Sequence, residues 1–417
     1  MDFRRDLFAG VTMAMASLAT FVAVASMLQL AGMDFAAGFT ACVLLALAGM
    51  LLAAWRGHGI VLVPSLTVTG YLVFIAAVSH GLGWRGMLAI SFSASLLGGG
   101  LWFCWPGAFK KGLPDFWLWG LKLALAVFLI ALGLKMGRVV ITSPWQVTML
   151  GDAADPLMYW SLAGILLTLV LLAGKWQGAL FTGMMATGLI TFVEGFWVIP
   201  EAPCLLPEGL DKVAGQLAWP VAGDAVFFWV TVLSLLVMLS AIHGAVWAAW
   251  EDAAKIRKGV SFLFAMGSVA ALCGVPPLVV SPVSAVKDEA VDKRRAAVIA
   301  AAVLASALFF EPVIAALADF PALLVPVLTG CGVSLLLTAL QQCPLAEDEA
   351  VKRAELLTVM ILVLLLPLTG NLATTVGAAI FGYVLFMSAI GRVRQIAGLF
   401  WLLGGIFVLY FIYGTLN

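Results

Sequence analysis

The chain has 417 residues; 64% are hydrophobic, only 11% are Lys, Arg, Asp or Glu, and the formal net charge is +0. A soluble domain carries roughly 25% charged residues. So few charges cannot cover a water-facing surface, which excludes a soluble enzyme and a disordered chain, and a neutral chain has no global basic field for nucleic acid.

A membrane-crossing helix needs about 20 mostly apolar residues. Apolar runs separated by short polar breaks predict spans at 10–30, 36–54, 66–80, 86–106, 116–137, 157–174 and 178–198. After a polar stretch at 200–223 they resume at 224–249, 259–274, 281–290, 295–317, 321–341, 353–368 and 371–390, and a last apolar segment follows at 396–414. The expected fold is an all-α polytopic membrane protein. Its 14 transmembrane spans form two seven-helix repeats, 1–199 and 224–390, joined by an extracytoplasmic linker at 200–223 and followed by a C-terminal hydrophobic helix at 391–417. Arg4 and Arg5 precede an apolar run that never reaches a polar mature domain, so this end predicts a first span and not a cleaved leader.

The charges agree with this topology. With a cytoplasmic N-terminus, 17 of the 22 basic residues fall in cytoplasmic loops, and the outside loops keep Arg85, Arg138 and Lys212. That asymmetry is the positive-inside pattern. Lys122 and Lys135 belong to the fifth span, as anchors toward its ends. The six Cys show no paired metal spacing, and most sit in apolar runs, which predicts buried small hydrophobes. No phosphate loop or nucleophile–base constellation occurs, and no cofactor or metal is expected.

Two spans differ from the rest. One begins Gly59-Ile-Val-Leu-Val-Pro64 and continues into a helix rich in hydroxyls, Ser65, Thr67 and Thr69. The other begins Gly274-Val-Pro276-Pro277-Leu-Val-Val and continues Ser281-Pro282-Val-Ser284. Each is the third span of its half. Seven is odd, so the halves are inverted, and interrupted segments at matching places in inverted halves point to a transporter's binding site. A helix that starts in mid-membrane leaves N–H groups without intrahelical partners. This is tolerated only where the backbone is buried in protein or lines a cavity. Two such helix ends face to face suit an electronegative or anionic ligand. The bland alternative is a pair of Pro-kinked helices.

These segments, with others in order, resemble the nucleobase–cation symporter-2 family, in particular its adenine/guanine/hypoxanthine permease branch. Ala31-Gly-Met-Asp-Phe-Ala-Ala37 resembles the segment after that family's first span, and Gly133-Leu-Lys-Met-Gly-Arg-Val-Val-Ile-Thr-Ser-Pro144 the end of its fifth. Ser281-Pro-Val-Ser284 resembles its tenth-span motif, and Leu365-Leu-Pro-Leu-Thr-Gly-Asn-Leu-Ala-Thr-Thr-Val-Gly377 the join of its last two spans. The resemblance implies two inverted sevens, a core and a gate domain, and substrate held between the third and tenth spans.

The chain departs from that pattern at the site. Met238 and Ala241 stand where the branch places eighth-span carboxylates. The tenth-span Glu falls on Asp288 when counted from Pro282, and on Val283 when counted from Gly274. Thr69 takes the place of the third-span Asn, while Tyr71 fits; the first-span Tyr and Asn positions fall on Ala19 and Val24.

The expected substrate-binding residues are Ser65, Thr67, Thr69, Ser281, Ser284 and Asp288. Asp288 has a second reading, as a solvated charge in the cluster Lys287 to Arg295. His243, the only His deep in a span, suits a proton relay; its alternative is a neutral structural His bonded to a backbone carbonyl. Glu194 and Glu311 read as carboxylates snorkelling near span ends, and most of the 15 Trp as interfacial or lipid-facing. The expected function is a secondary transporter of a small planar solute, a purine-like nucleobase, by proton symport and an elevator-type shift. An organic or inorganic anion carrier is the alternative. The partners expected are a small-molecule substrate, H+ as coupling ion, membrane lipid and a second copy as homodimer, with no nucleic acid. The expected location is the inner (plasma) membrane.

Overall fold

In the computed structural model, residues 3–104, 114–143, 148–176, 179–248, 253–281, 292–318, 320–323, 325–341, 343–369, 372–398 and parts of 400–408 are described. They form a polytopic helical membrane fold. Its helices are α1 (Phe3–Leu30), α2 (Phe35–Trp55), α3 (Leu66–Tyr71, continuing as a π-helix over Leu72–Ser79), α4 (Gly83–Cys104), α5 (Asp115–Met136), α6 (Pro156–Ala173) and α7 (Ala179–Val193). The later ones are α8 (Leu210–Val213), α9 (Ala225–Ala248), α10 (Ala253–Leu272), α11 (Lys293–Ala307), α12 (Glu311–Ala318), α13 (Val325–Leu340), α14 (Glu349–Thr369) and α15 (Leu372–Ala389). The helices Phe35–Trp55, Gly83–Cys104, Asp115–Met136 and Pro156–Ala173 and the run Lys293–Ala316 are each long and apolar enough to cross a membrane.

The fold is not purely helical. Strands β1 (Leu62–Pro64) and β4 (Leu278–Val280) pair antiparallel, as do β2 (Val140–Ile141) and β3 (Met149–Leu150). Local sequence explains several boundaries. Asp34 caps α2 by accepting the Ala37 N–H, and Asp155 caps α6 by accepting the Leu157 N–H ahead of a first-turn Pro156. The predicted span 295–317 is broken by a 3-10 turn at Leu308–Phe310, just before Pro312, which has no N–H to continue the ladder. Glu194 lies beyond its helix: α7 stops at Val193 and the exposed Glu194 sits in the turn that follows. The Cys expectation needs correction. Only Cys42 is buried; Cys104, Cys204 and Cys343 are exposed, and Cys273 and Cys331 are intermediate. An apolar run marks lipid-facing and core positions alike, so it does not predict protein burial.

Residues cluster into two compact units, each assembled from three segments. The first comprises Met1–Val73, Leu129–Gln216 and Ala270–Cys331; the second comprises Phe74–Phe128, Leu217–Val269 and Gly332–Asn417. In the first, α1 packs against α2, α7 and α11, α2 packs against α11, and β1 lies against α1 and α2. In the second, α4 packs on α9, α14 on α15 and α9 on α15.

A buried carboxylate fixes one end of the first unit. Asp6 in the first turn of α1 is fully buried, and its Oδ1 accepts the Asp292 N–H at 2.9 Å. Asp292 is itself the N-cap of α11, accepting from Arg294 N–H at 3.0 Å and Arg295 N–H at 3.3 Å. Arg295 lies 3.9 Å from Asp6 Oδ2, but the guanidinium is largely exposed and adds little. Asp6→Ala should therefore lose mainly the charge-assisted bond to the α11 cap, about 2 kcal/mol. A lower melting temperature in detergent checks this; an unchanged one contradicts it.

Candidate functional site

The β1–β4 pair is built by two matching stretches of chain. α2 ends with His58 N–H donating to Ala53 O at 2.9 Å around Gly57 at φ +89°. α10 ends the same way, with Val275 N–H donating to Ala270 O at 2.8 Å around Gly274 at φ +87°. These are Schellman endings, and the left-handed position takes Gly because a Cβ would be strained there. Each chain then turns extended through a β-branched run.

The strands register Leu62 on Val280, Val63 on Val279 and Pro64 on Leu278. Beyond their ends, the Ser65 N–H donates to Pro277 O at 2.9 Å and the Ser281 N–H donates to Val61 O at 2.8 Å. The two serines thus make the same bond to each other's strand, a local two-fold relation. In an antiparallel ladder bonded and non-bonded pairs alternate. Val63–Val279 is therefore a bonded pair, and Pro64 sits at a non-bonded position where its missing N–H is harmless. Pro277 enters the ladder only as an acceptor.

From this crossing α3 departs. The buried Ser65 caps it, its Oγ accepting the Val68 N–H at 3.4 Å, and the Thr69 N–H closes the first turn onto Ser65 O at 2.8 Å. The Thr69 side chain is fully buried, and its hydroxyl has no hydrogen-bond partner among the described residues. A buried hydroxyl without a partner is energetically unfavourable, and a ligand would relieve it. α1, which packs on α3 and β1, carries a second such hydroxyl at Ser17. Sequence reasoning missed Ser17, because one Ser in an apolar helix gives no signal of its burial. Tyr71, two residues further along α3, is also buried.

The expected residues divide as follows. Ser65, Thr69 and Ser281 lie together at the crossing, and all three are buried. Thr67 lies in the first turn of α3. Ser284 and Asp288 lie outside the described residues. His243 belongs to α9 in the second unit, is buried, and sets its ring edge-on to Phe264 at 4.9 Å. Nearby in the same unit Trp102 Nε1–H donates to Ser240 Oγ at 3.4 Å, pinning α4 to α9.

Comparison with known proteins gives this arrangement a context. No family model matches the chain. It is 25% identical over 423 residues to the guanine/hypoxanthine permease PbuO of Bacillus subtilis, covering 95% of this chain and 94% of that protein. It is similar to that permease along nearly its whole length. A second relative, the nucleobase transporter PlAzg2 of Paenibacillus larvae, is 23% identical over 229 residues, covering 54% of this chain and 43% of that protein. These names fit the nucleobase–cation symporter-2 family and its purine branch, so the resemblance seen in the motifs holds. Among solved structures, the transmembrane domain of a cyanobacterium bicarbonate transporter, BicA, superposes with a TM-score of 0.61 at 15% identity, covering 90% of this chain and 98% of that one. In sequence the chain resembles permeases and not enzymes, and its fold is that of a multi-pass membrane protein.

Proposed function

We propose that this permease carries a purine-like nucleobase across the cell's inner membrane, by proton symport and an elevator-type movement. Its fourteen spans form two inverted sevens with discontinuous third and tenth spans and a further hydrophobic helix, and its N-terminus is cytoplasmic. The observation that carries this reading is the two-fold crossing, in which Ser65 and Ser281 each bond to the other's strand and a buried hydroxyl at Thr69 lacks a partner among the described residues. Likeness to a guanine/hypoxanthine permease along the whole chain supplies the substrate class.

In this reading Ser65, Thr67, Thr69, Ser281 and Ser284 present hydroxyls and helix-end N–H groups to the ring edge of the base. A planar nucleobase offers both donors and acceptors, so it satisfies such a site without a counter-charge. Asp288 supplies a carboxylate. It stands seven residues after Ser281, as Leu72 stands after Ser65, and Leu72 is fully buried. His243 takes the proton that moves with the substrate, and a second copy of the chain completes a homodimer.

The anion-carrier reading draws on the fold shared with a bicarbonate transporter domain. At that identity the likeness carries architecture alone, so the nucleobase reading leads.

Binding of radiolabelled guanine to the detergent-purified protein tests the site. Thr69→Val removes the hydroxyl at nearly constant volume and should weaken binding by about 1 kcal/mol, or roughly fivefold, with folding intact. Unchanged affinity in Thr69→Val and in Ser284→Ala would contradict the assignment.

A further inference from the structure

The polar stretch between the two halves is fastened to the first unit at several places. The Leu205 N–H donates to Phe309 O at 3.0 Å, and the Gly215 N–H donates to Leu272 O, at the last residue of α10, at 2.6 Å. Between these bonds Gly209 is pressed on the start of α2, where a Cβ on it would stand 2.9 Å from the Ala37 Cβ. Within this fastened segment Asp211, Lys212 and Ala214 are exposed, whereas Val213, the last residue of α8, is buried.

Val213 is seated on Gly274, the glycine that ends α10. A Cβ on Gly274 would lie 2.7 Å from the Val213 Cβ and 2.9 Å from its Cγ2, so Val213 occupies the space that a side chain there would need. From Gly274 the chain runs through Val275, Pro276 and Pro277 into β4. Each proline fixes its own φ, and the residue before a proline is held extended. Val275 is also fully buried. These three residues have little freedom, so a displacement of Gly274 is carried to Pro277 instead of being absorbed on the way. Pro277 O accepts the Ser65 N–H, and Ser65 caps α3. The other strand is held in a comparable way from a different element: a Cβ on Gly59, ahead of β1, would overlap the Lys293 backbone at the start of α11.

We infer that Val213 is a positioning residue for the strand crossing: it wedges the Gly274 turn, and through Pro276 and Pro277 it keeps Pro277 O on the Ser65 N–H. The linker thereby sets the geometry of a site that none of its residues enters. A shortened side chain at Val213 lets the turn settle toward the linker, draws Pro277 away from Ser65 and loosens the N-cap of α3, from which Thr69 projects. The inference rests on the reading of the crossing as the substrate site.

Hydrogen–deuterium exchange of the full chain in detergent, with guanine binding measured on the same preparations, tests it. Val213→Ala should speed exchange of the Ser65 and Ser281 amides roughly tenfold, while amides of α6 and of α4 exchange as in the parent protein. Guanine affinity should fall about fivefold. Lys212→Ala, at an exposed side chain of the same turn, should change neither. A residue that served only overall stability would speed exchange in every helix alike, and that result would overturn the inference. Parent-like exchange at Ser65 and Ser281 in Val213→Ala would overturn it as well, as would an equal effect of Lys212→Ala. The exchange measurement needs no substrate. If the parent protein binds no guanine, the substrate reading fails, and exchange at Ser65 still decides whether Val213 holds the crossing.

Discussion

Vesicles carrying His243→Gln should lose accumulation of guanine against its gradient while keeping exchange of guanine across the membrane. One proton moving with each substrate, across a difference of one pH unit, supports about tenfold accumulation. The variant should fall to none. The reason is chemical: Gln keeps the size and hydrogen bonding of His but does not titrate between pH 5 and 8. Met238 and Ala241 stand where the resembled family places its eighth-span carboxylates, which makes His243 the leading deep candidate to carry a proton, with Asp288 the alternative. The proposed site for the base, at Ser65, Thr69 and Ser281, is untouched, so exchange should persist. If accumulation and pH dependence match the parent protein, His243 is a structural residue packed on Phe264. Asp288→Asn, measured in the same vesicles, then decides whether that carboxylate carries the coupling. If exchange falls together with accumulation, the substitution has damaged the fold and not the coupling.

Val279→Pro should weaken guanine binding roughly 50-fold while leaving the protein helical and membrane-inserted. Val279 faces Val63 at the centre of the three-residue pairing. There its N–H is a ladder donor, and proline removes that donor and adds a ring against the partner strand. The pairing is so short that losing the central bond separates Ser65 from Ser281. The expected loss is about 2–3 kcal/mol, or roughly 50-fold in affinity. Val279→Ile keeps the donor and the β-branched shape and should bind normally. Circular dichroism and guanine binding on both variants check this. Normal binding by Val279→Pro would show that the crossing does not hold the site.

Much of the fold was legible because hydropathy reports directly on lipid. The apolar runs at 36–54, 157–174 and 371–390 fall on α2, α6 and α15, within a residue or two at each end. Helix starts were less legible. α1 begins at Phe3 and α10 at Ala253, earlier than the apolar runs, because hydropathy measures residence in lipid whereas helical hydrogen bonding continues into water through Arg4, Arg5, Lys255 and Arg257. The short extended segments were visible in Pro64, Pro276 and Pro277. That their extended runs pair with each other was not: Leu62 and Val280 are far apart in sequence, and a β-branched run carries no record of its partner. Burial of single polar groups was the least legible. Ser17, Thr40 and Asp6 sit in helices whose sequences look alike on every face, so only packing distinguishes a buried polar atom left without a partner from one that bonds back to its own helix, as Ser26 does to Val22.

The central claim is that the chain carries nucleobases with protons. It is tested most directly by uptake into proteoliposomes of the purified protein under an imposed pH gradient, acid outside. Radiolabelled guanine or hypoxanthine should accumulate above its external concentration, and a protonophore should collapse that accumulation. Uptake of bicarbonate or another small anion without uptake of any nucleobase would contradict the account.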